Sequence, residues 1–215
     1  MIRRTRIKFC GITRVDDALA ACALGVDAIG LVLTSAGRRC VTPALAREIR
    51  RALPPFVVVV ALFMDDQPGF IADVVALVQP DLLQFHGGES QEECVRFDVP
   101  YIKAIAMAGG DAARALHEHT AATAFVLDAH APGGQGGGGS VFDWARIPCD
   151  LPRPLILAGG LTCDNVGSAI RTVTPFAVDV SSGIEAGGIE SVPGIKDAAK
   201  MRRFVEEVER ADSKK

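Results

Sequence analysis

The chain has 215 residues, 49% of them hydrophobic and only 6% aromatic, with a net charge of −3. That length suits one domain around a mostly aliphatic core, and the near-neutral balance, with a pI near 5.8, predicts no strongly basic face and makes nucleic acid a poor candidate partner. The longest apolar run, Phe56 to Met64, is strand length and falls short of the ~18 residues that cross a bilayer.

Short apolar runs alternate with helix-period segments along the chain. The first run, Ile7–Cys10, follows a basic start, Met1-Ile-Arg-Arg-Thr-Arg6, that lacks the apolar stretch of a signal peptide; a cytoplasmic protein with no membrane partner is expected. Gly25 marks the stop of the first helix before the second run, Ala28–Leu33. Thr42-Pro43 gives an N-cap and a first-turn proline to a helix with Leu45, Ile49 and Leu53 on one face. Phe56–Phe63 follows, then a stripe of Ile71, Val74, Val75 and Val78 at helical spacing, then Leu82–Phe85. Ser90-Gln-Glu-Glu93 matches a capping box and precedes Tyr101–Ala106 and Ala124–Leu127. Pro132–Ser140 is glycine-rich and is expected to be a mobile active-site loop, followed by a short helix at Phe142-Asp-Trp144. Leu155–Ala158 and Ala177–Val180 complete the strands, and Met201, Phe204, Val205 and Val208 form the last helical stripe. Residues 1–5 and 211–215 are expected to lack structure, leaving about 6–210 ordered in one domain.

The strand candidates are continuously apolar, as expected where both faces of a parallel sheet are buried. Strand–helix repetition implies right-handed crossovers, and eight repeats in this length favour closure into a (βα)8 barrel of the α/β class. An open, doubly wound sheet obeys the same periodicity. The six cysteines form no C-x-x-C pair and no histidine stands at zinc-finger spacing, so reduced thiols, mostly small buried hydrophobes, are expected.

In barrels, the loops after strands seven and eight commonly bind phosphate. Here Gly159 and Gly160 let backbone N–H groups approach an anion, and Asp179-Val-Ser-Ser-Gly183 adds two hydroxyls and further N–H groups. Taken alone, either glycine stretch is only a tight turn; two at consecutive strand ends point to a phosphate. No G-x-x-x-x-G-K-[ST] or G-x-G-x-x-G is present to suggest a nucleotide. Two ionisable groups close strands with nothing nearby in sequence to neutralise them, Cys10 and Asp128. Each has a structural alternative, a buried inert thiol and a helix cap or ion pair. Together they suit a general base and a general acid flanking a substrate. A thiol base needs a positive neighbour, and Lys8 shares its strand face. Asp128 as acid needs an apolar or anionic setting that raises its pKa.

Lys8-Phe-Cys-Gly-Ile-Thr13, Gln84-Phe-His-Gly87, Leu127-Asp-Ala129, Gly136-Gly with Phe142-Asp-Trp144, Leu157-Ala-Gly-Gly-Leu161 with Asn165-Val166, and Asp179-Val-Ser-Ser-Gly-Ile-Glu185 with Gly194-Ile-Lys-Asp197 resemble, in order and across nearly the whole chain, the phosphoribosylanthranilate isomerases. The resemblance implies an eight-fold barrel and an Amadori rearrangement of N-(5-phosphoribosyl)anthranilate on the route to tryptophan. It implies Asp128 as the acid that opens the ribose ring and Cys10 as the base that removes the C2 proton. It also implies Arg39 on the anthranilate carboxylate, Asp179 near the sugar hydroxyls, and Gly159, Gly160, Ser182 and Gly183 around the phosphate. His86 is placed in the pocket wall, with a structural strand-end role as its alternative. The other histidines, His117, His119 and His130, are expected in surface or local hydrogen-bonding roles. The resemblance implies a small-molecule substrate and no metal or organic cofactor; no oligomer interface is legible in the barrel helices, so monomer and homodimer both stand.

Three departures matter. Gly37-Arg38-Arg39-Cys40 lacks the Ser-Pro that the family has before its arginine, so Arg38 and Arg39 are alternative holders of the carboxylate. Gly136–Gly139 replaces Gly-Gly-Thr-Gly, and Ala186–Ser191 lengthens the segment beside the phosphate loop. An aminoaldose isomerase of histidine biosynthesis would be expected to use paired aspartates, whereas strand one ends in cysteine. A non-catalytic sugar-phosphate-binding barrel would need neither Cys10 nor Asp128.

Overall fold

The computed structural model describes residues 4–107, 116–129, 142–148, 150–187 and 192–214. Eight parallel strands, β1 (Arg6–Cys10), β2 (Ala28–Val32), β3 (Val58–Phe63), β4 (Leu82–Phe85), β5 (Tyr101–Ala106), β6 (Ala124–Asp128), β7 (Leu155–Leu157) and β8 (Ala177–Val180), pair in sequence order and close with β1 beside β8. The α-helices with both ends among the described residues are α1 (Val15–Ala23), α2 (Pro43–Ala52), α3 (Pro68–Val78), α4 (Gln91–Val95), α5 (Val166–Val173) and α6 (Ala198–Asp212). The sheet is therefore the closed barrel and not the open alternative.

Alternation along each strand sorts its residues into two cores. Phe9, Ile29, Leu31, Phe63, Phe85 and Phe125 face the helices, where Phe9 meets Phe204 of α6 edge-on at 6.0 Å. The barrel interior is aliphatic, with Val60, Ile102, Ala104, Val126, Ile156 and Ala158. Above them Cys10, Val32 and Leu62 form a separate cluster at the C-terminal mouth. Both faces being buried explains why these strands read as continuous apolar runs.

Local signals hold where their chemistry is satisfied. Thr42 accepts from Leu45 N at 3.2 Å with Pro43 opening α2, and Ser90 and Glu93 complete the capping box. Gly25 has φ +77° and follows α1. Other boundaries move. The apolar run at Phe56 does not begin β3; Phe56 has φ +70° and is fully exposed, and pairing starts at Val58. The ends are also tied down more firmly than expected. Thr5 donates its N–H and hydroxyl to the Asp212 carboxylate at 2.6 and 2.7 Å, which extends α6 through Asp212 and anchors β1. Trp144–Arg146 form one 3-10 turn capped by Asp143, while Pro132–Ser140 lie outside the described residues. No described helix is long and apolar enough to cross a membrane.

Candidate active site

Because side chains alternate, β1 directs Lys8 and Cys10 into the barrel, β4 directs Gln84, and β6 and β8 direct Asp128 and Asp179. His86 follows β4 on the same side, its N–H donating to Phe63 O at 2.9 Å. The mouth is a cavity of about 820 Å³, counted out to solvent, and both Cys10 and Asp128 line it. Arg39, His86, Asp179, Gly159, Gly160 and Ser182 line the same cavity, so eight of the nine residues singled out in the sequence converge there. Gly183 does not. A side chain on it would run into the Leu161 carbonyl, so Gly183 lets the loops after β7 and β8 touch.

Lys8 and Asp179 lie directly opposite in the β1–β8 register, and their side chains pair at 2.7 Å with 4% and 7% exposure. Burial pulls the ammonium pKa of Lys8 down, but Asp179 and Cys10 outweigh it and hold Lys8 above the usual lysine range. Asp179 Oδ2 takes the ammonium, while Oδ1 is buried with no hydrogen-bond partner among the described residues. Such an acceptor is costly unless a ligand satisfies it.

Cys10 sits beside this pair. Burial pushes its thiol up; Lys8 pulls it down, Asp179 pushes it up, and Lys196 pulls it down, with the net direction upward. The resting group is therefore a thiol whose ionisation depends on Lys8. Gly30 on the neighbouring strand leaves the space, since a Cβ there would come within 2.9 Å of Cys10 Sγ and 3.2 Å of Lys8 Cε. Cys94 and Cys163 are also buried, Cys22 is half-buried and Cys40 exposed, so the inert-hydrophobe expectation holds for only part of the set; Cys149 is outside the described residues.

Across the mouth the polar groups are more loosely joined. Gln84 Nε2 and His86 Nδ1 are 3.3 Å apart, and His86 Nε2 lies 3.8 Å from Asp128 Oδ2. Behind Asp128, a Cβ on Gly159 would strike Ala129 N and come within 3.0 Å of Asp128 Oδ1. Gly159 and Gly160 both have positive φ, and Asn165 pins their loop by donating Nδ2 to Gly160 O at 2.9 Å and accepting from Thr162 N at 2.8 Å. The N–H groups of Gly160, Ser182 and Gly183 have no carbonyl partner among the described residues. Free N–H groups on facing loops form a ready anion site.

Arg39 is placed by a fold-back of its own loop. Cys40 bridges Val32, and the Arg39 stem crosses Gly11, where φ +68° and the absence of a side chain leave it room. Its Nε and Nη2 bond the two oxygens of Glu185 at 2.5 and 2.9 Å. Lys196 Nζ adds a bond to Glu185 Oε1 at 3.1 Å and one to Ser181 O at 3.0 Å. Against the upward push of burial, Arg39 and Lys196 hold the Glu185 carboxyl at about 2. Arg38, in contrast, is exposed at the rim of the cavity.

Glu185 and Lys196 had no role assigned from the sequence, although both stand in the motifs quoted above. Their pairing spans a loop, so local spacing carries no sign of it. His119 is not a surface residue; it is buried against the Tyr101 hydroxyl at 3.3 Å. Among the described residues no cluster of three His, Cys, Asp or Glu could hold a metal.

The family model described as N-(5'phosphoribosyl)anthranilate (PRA) isomerase matches residues 7–207. An N-(5'-phosphoribosyl)anthranilate isomerase of Stenotrophomonas maltophilia (strain K279a) is 51% identical over 212 residues, covering 97% of this chain and 95% of its own. The crystal structure of phosphoribosyl anthranilate isomerase from Thermotoga maritima superposes with a TM-score of 0.84 at 39% identity, over 96% of this chain and 99% of that one. A crystal structure of phosphoribosyl anthranilate isomerase in complex with reduced 1-(o-carboxyphenylamino)-1-deoxyribulose 5-phosphate gives 0.81 at 37% identity, over 96% of this chain and 99% of that one.

Proposed function

This chain belongs to the N-(5'-phosphoribosyl)anthranilate isomerase family, and we propose that Cys10 and Asp128 are the acid–base pair with which it isomerises its substrate in tryptophan biosynthesis. The observation that carries the assignment is that both groups, from the non-adjacent strands β1 and β6, line one cavity with the free N–H groups of the β7 and β8 loops. Those N–H groups hold the phosphoryl end, which fixes the pentose between the two walls.

Asp128 gives its proton to the ribose ring oxygen as the C1–O bond breaks, and the anilino nitrogen lone pair forms the C1=N bond of a protonated Schiff base. Cys10, as thiolate, removes the C2 proton. The released electron pair forms C1=C2 while the C=N pair returns to nitrogen, giving an enolamine. Its C2 hydroxyl then loses a proton to solvent as C1 gains one from solvent, giving the aminoketone, and Asp128 and Cys10 exchange protons with solvent to regain their starting forms; substrate and product are isomers. The protonated imine is the electron sink. Lys8 stabilises the thiolate, and the open Oδ1 of Asp179 accepts from a sugar hydroxyl. Arg39 faces the anthranilate carboxylate, with Arg38 at the rim as the alternative.

The protein is placed in the cytoplasm on this reading, as a monomer or homodimer. The direct test is a fluorescence assay following consumption of freshly generated phosphoribosylanthranilate by purified protein. Turnover that disappears in both Cys10→Ala and Asp128→Asn, with ligand binding retained, is expected; near-normal rates in either variant would remove that residue from the mechanism.

A further inference from the structure

The guanidinium of Arg39 has two edges able to grip a carboxylate, and the protein itself uses one of them. Nε and Nη2 are spent on Glu185, and Nη1 has no partner among the described residues. Glu185 is itself held from several sides. Lys196 Nζ and Gly194 N both donate to its Oε1, at 3.1 and 2.9 Å, and Lys200 Nζ donates to its carbonyl at 2.7 Å. The Lys196 side chain is fully buried, and Glu185 and Lys196 are further joined by an antiparallel backbone bridge. Gly194 has φ +97° and packs on Thr13, just beyond β1, so this clasp ties the β8 loop to the loop that follows Cys10.

We propose that Glu185 is a positioning residue that commits the Nε–Nη2 edge of Arg39, so that the Nη1–Nη2 edge is presented to the aromatic carboxylate of the substrate. The inference rests on the reading of Arg39 given above and adds the group that aims it. The geometry supports it in three ways. A guanidinium held bidentately loses its rotational freedom about the last side-chain bonds before the ligand arrives. Arg39 and Lys196 share the single carboxylate of Glu185, so the group keeps an excess positive charge for an incoming anion. The carboxyl of Glu185 remains ionised throughout the working range because its pKa lies at about 2. Arg38 has no comparable support and is exposed, which makes Arg39 the residue of choice for selecting a carboxylated ring.

The test compares two inert ligands by calorimetry: reduced 1-(o-carboxyphenylamino)-1-deoxyribulose 5-phosphate and the phenylamino compound lacking the carboxylate. In Glu185→Gln the first is expected to bind about tenfold more weakly, as for loss of a charge-assisted bidentate contact, and the second within about twofold of normal. With substrate, KM should rise more than kcat falls. Equal weakening of both ligands, or of neither, would overturn the proposal, since a merely structural role cannot tell them apart. Should Glu185→Gln fail to fold, Glu185→Asp, which keeps the charge but withdraws it by one methylene, must show the same preference in weaker form. The wild type provides the separate check. If it binds the two ligands equally well, the assignment of Arg39 fails first; if it prefers the carboxylated one and Glu185→Gln keeps that preference undiminished, only Glu185 is excluded.

Discussion

Among the described residues, two lysine–carboxylate pairs with both partners buried look alike by distance and differ in what surrounds them. Lys103 and Glu89, on the outer side of β5 and in the loop after β4, meet at 2.8 Å; Lys8 and Asp179, inside the barrel, meet at 2.7 Å. In the outer pair the protein satisfies both oxygens. Glu89 accepts from Asp65 N at 2.8 Å and Gly87 N at 2.9 Å, and Lys103 also donates to Gly87 O at 2.7 Å. In the inner pair Asp179 Oδ1 has no partner among the described residues and Lys8 leans on a thiol. A closed set of hydrogen bonds holds loops together; an open one leaves an acceptor for a further group.

The largest effect separating the two regions should come from the reacting groups themselves. Replacing Cys10 by alanine or Asp128 by asparagine is expected to lower kcat on the order of 10³-fold, the usual reach of one acid–base group, with melting temperature nearly unchanged. Single-turnover rates of the purified variants check this. A residual rate within tenfold of normal would mean that the inner polar set is not the reaction centre.

Lys103→Met should do the reverse. Removing the cation leaves Glu89 buried with only N–H donors, and breaking such a pair costs about 3 kcal/mol or more. Urea unfolding should show that loss while the kcat of the folded fraction stays within about twofold. A large fall in kcat would erase the distinction between the pairs.

Lys8→Met is the intermediate case, because it touches both stability and rate. Lys8 lowers a thiol pKa that burial has raised, so its removal moves the ionisation of Cys10 further upward. A base works only when deprotonated, so kcat/KM must rise with pH through that ionisation, and in the variant this rise must begin at higher pH. At neutral pH a drop of about tenfold or more is expected, since each added pKa unit removes that factor in thiolate. Recovery as pH increases separates lost ionisation from lost structure. A variant equally impaired at all pH values would assign Lys8 to the scaffold.

How much of this contrast was legible in the sequence depends on how far apart the partners lie. Lys8 inside the apolar run of β1 could be read as inward-facing, because alternation places it with Cys10. Asp179, 171 positions away, gave no sign of becoming its counterion; only closure of β8 onto β1 brings them into register. The resemblance set Arg39, with Arg38 as the alternative, as the expected partner of a carboxylate, yet the grip of Arg39 on Glu185 depends on a fold-back at Cys40 and on Gly11, neither visible in spacing. The strands were legible because burial on both faces leaves long apolar runs, and Phe56 misled for the same reason: hydrophobicity reports composition, not φ. His119 is a different case, since a histidine between Glu118 and Thr120 reads as a surface or a hydrogen-bonding residue alike, and only the packing of Tyr101 against it decides for the buried hydrogen bond.

That histidine supplies the smallest and most specific test of the outer region. Burial, and then the nearby charge of Lys103, lower its pKa from 6.5 to about 4. The folded protein therefore resists protonating an imidazole that the unfolded chain protonates freely. Its contribution to stability is complete above pH 6.5, declines as pH falls from about 6.5 to about 4, and is flat below that. Between pH 7 and pH 5 the wild type should lose on the order of 1–2 kcal/mol through this residue, and His119→Gln should not show that component. Unfolding midpoints in urea at the two pH values, compared as a difference between the proteins, isolate it from the carboxylates that titrate lower. Identical pH slopes in both would mean that His119 is protonated or solvated in the fold, and the Tyr101 contact would then have no claim on stability. Distinct slopes with an unchanged pH profile for kcat/KM would locate acid sensitivity of the fold outside the barrel and that of the rate within it.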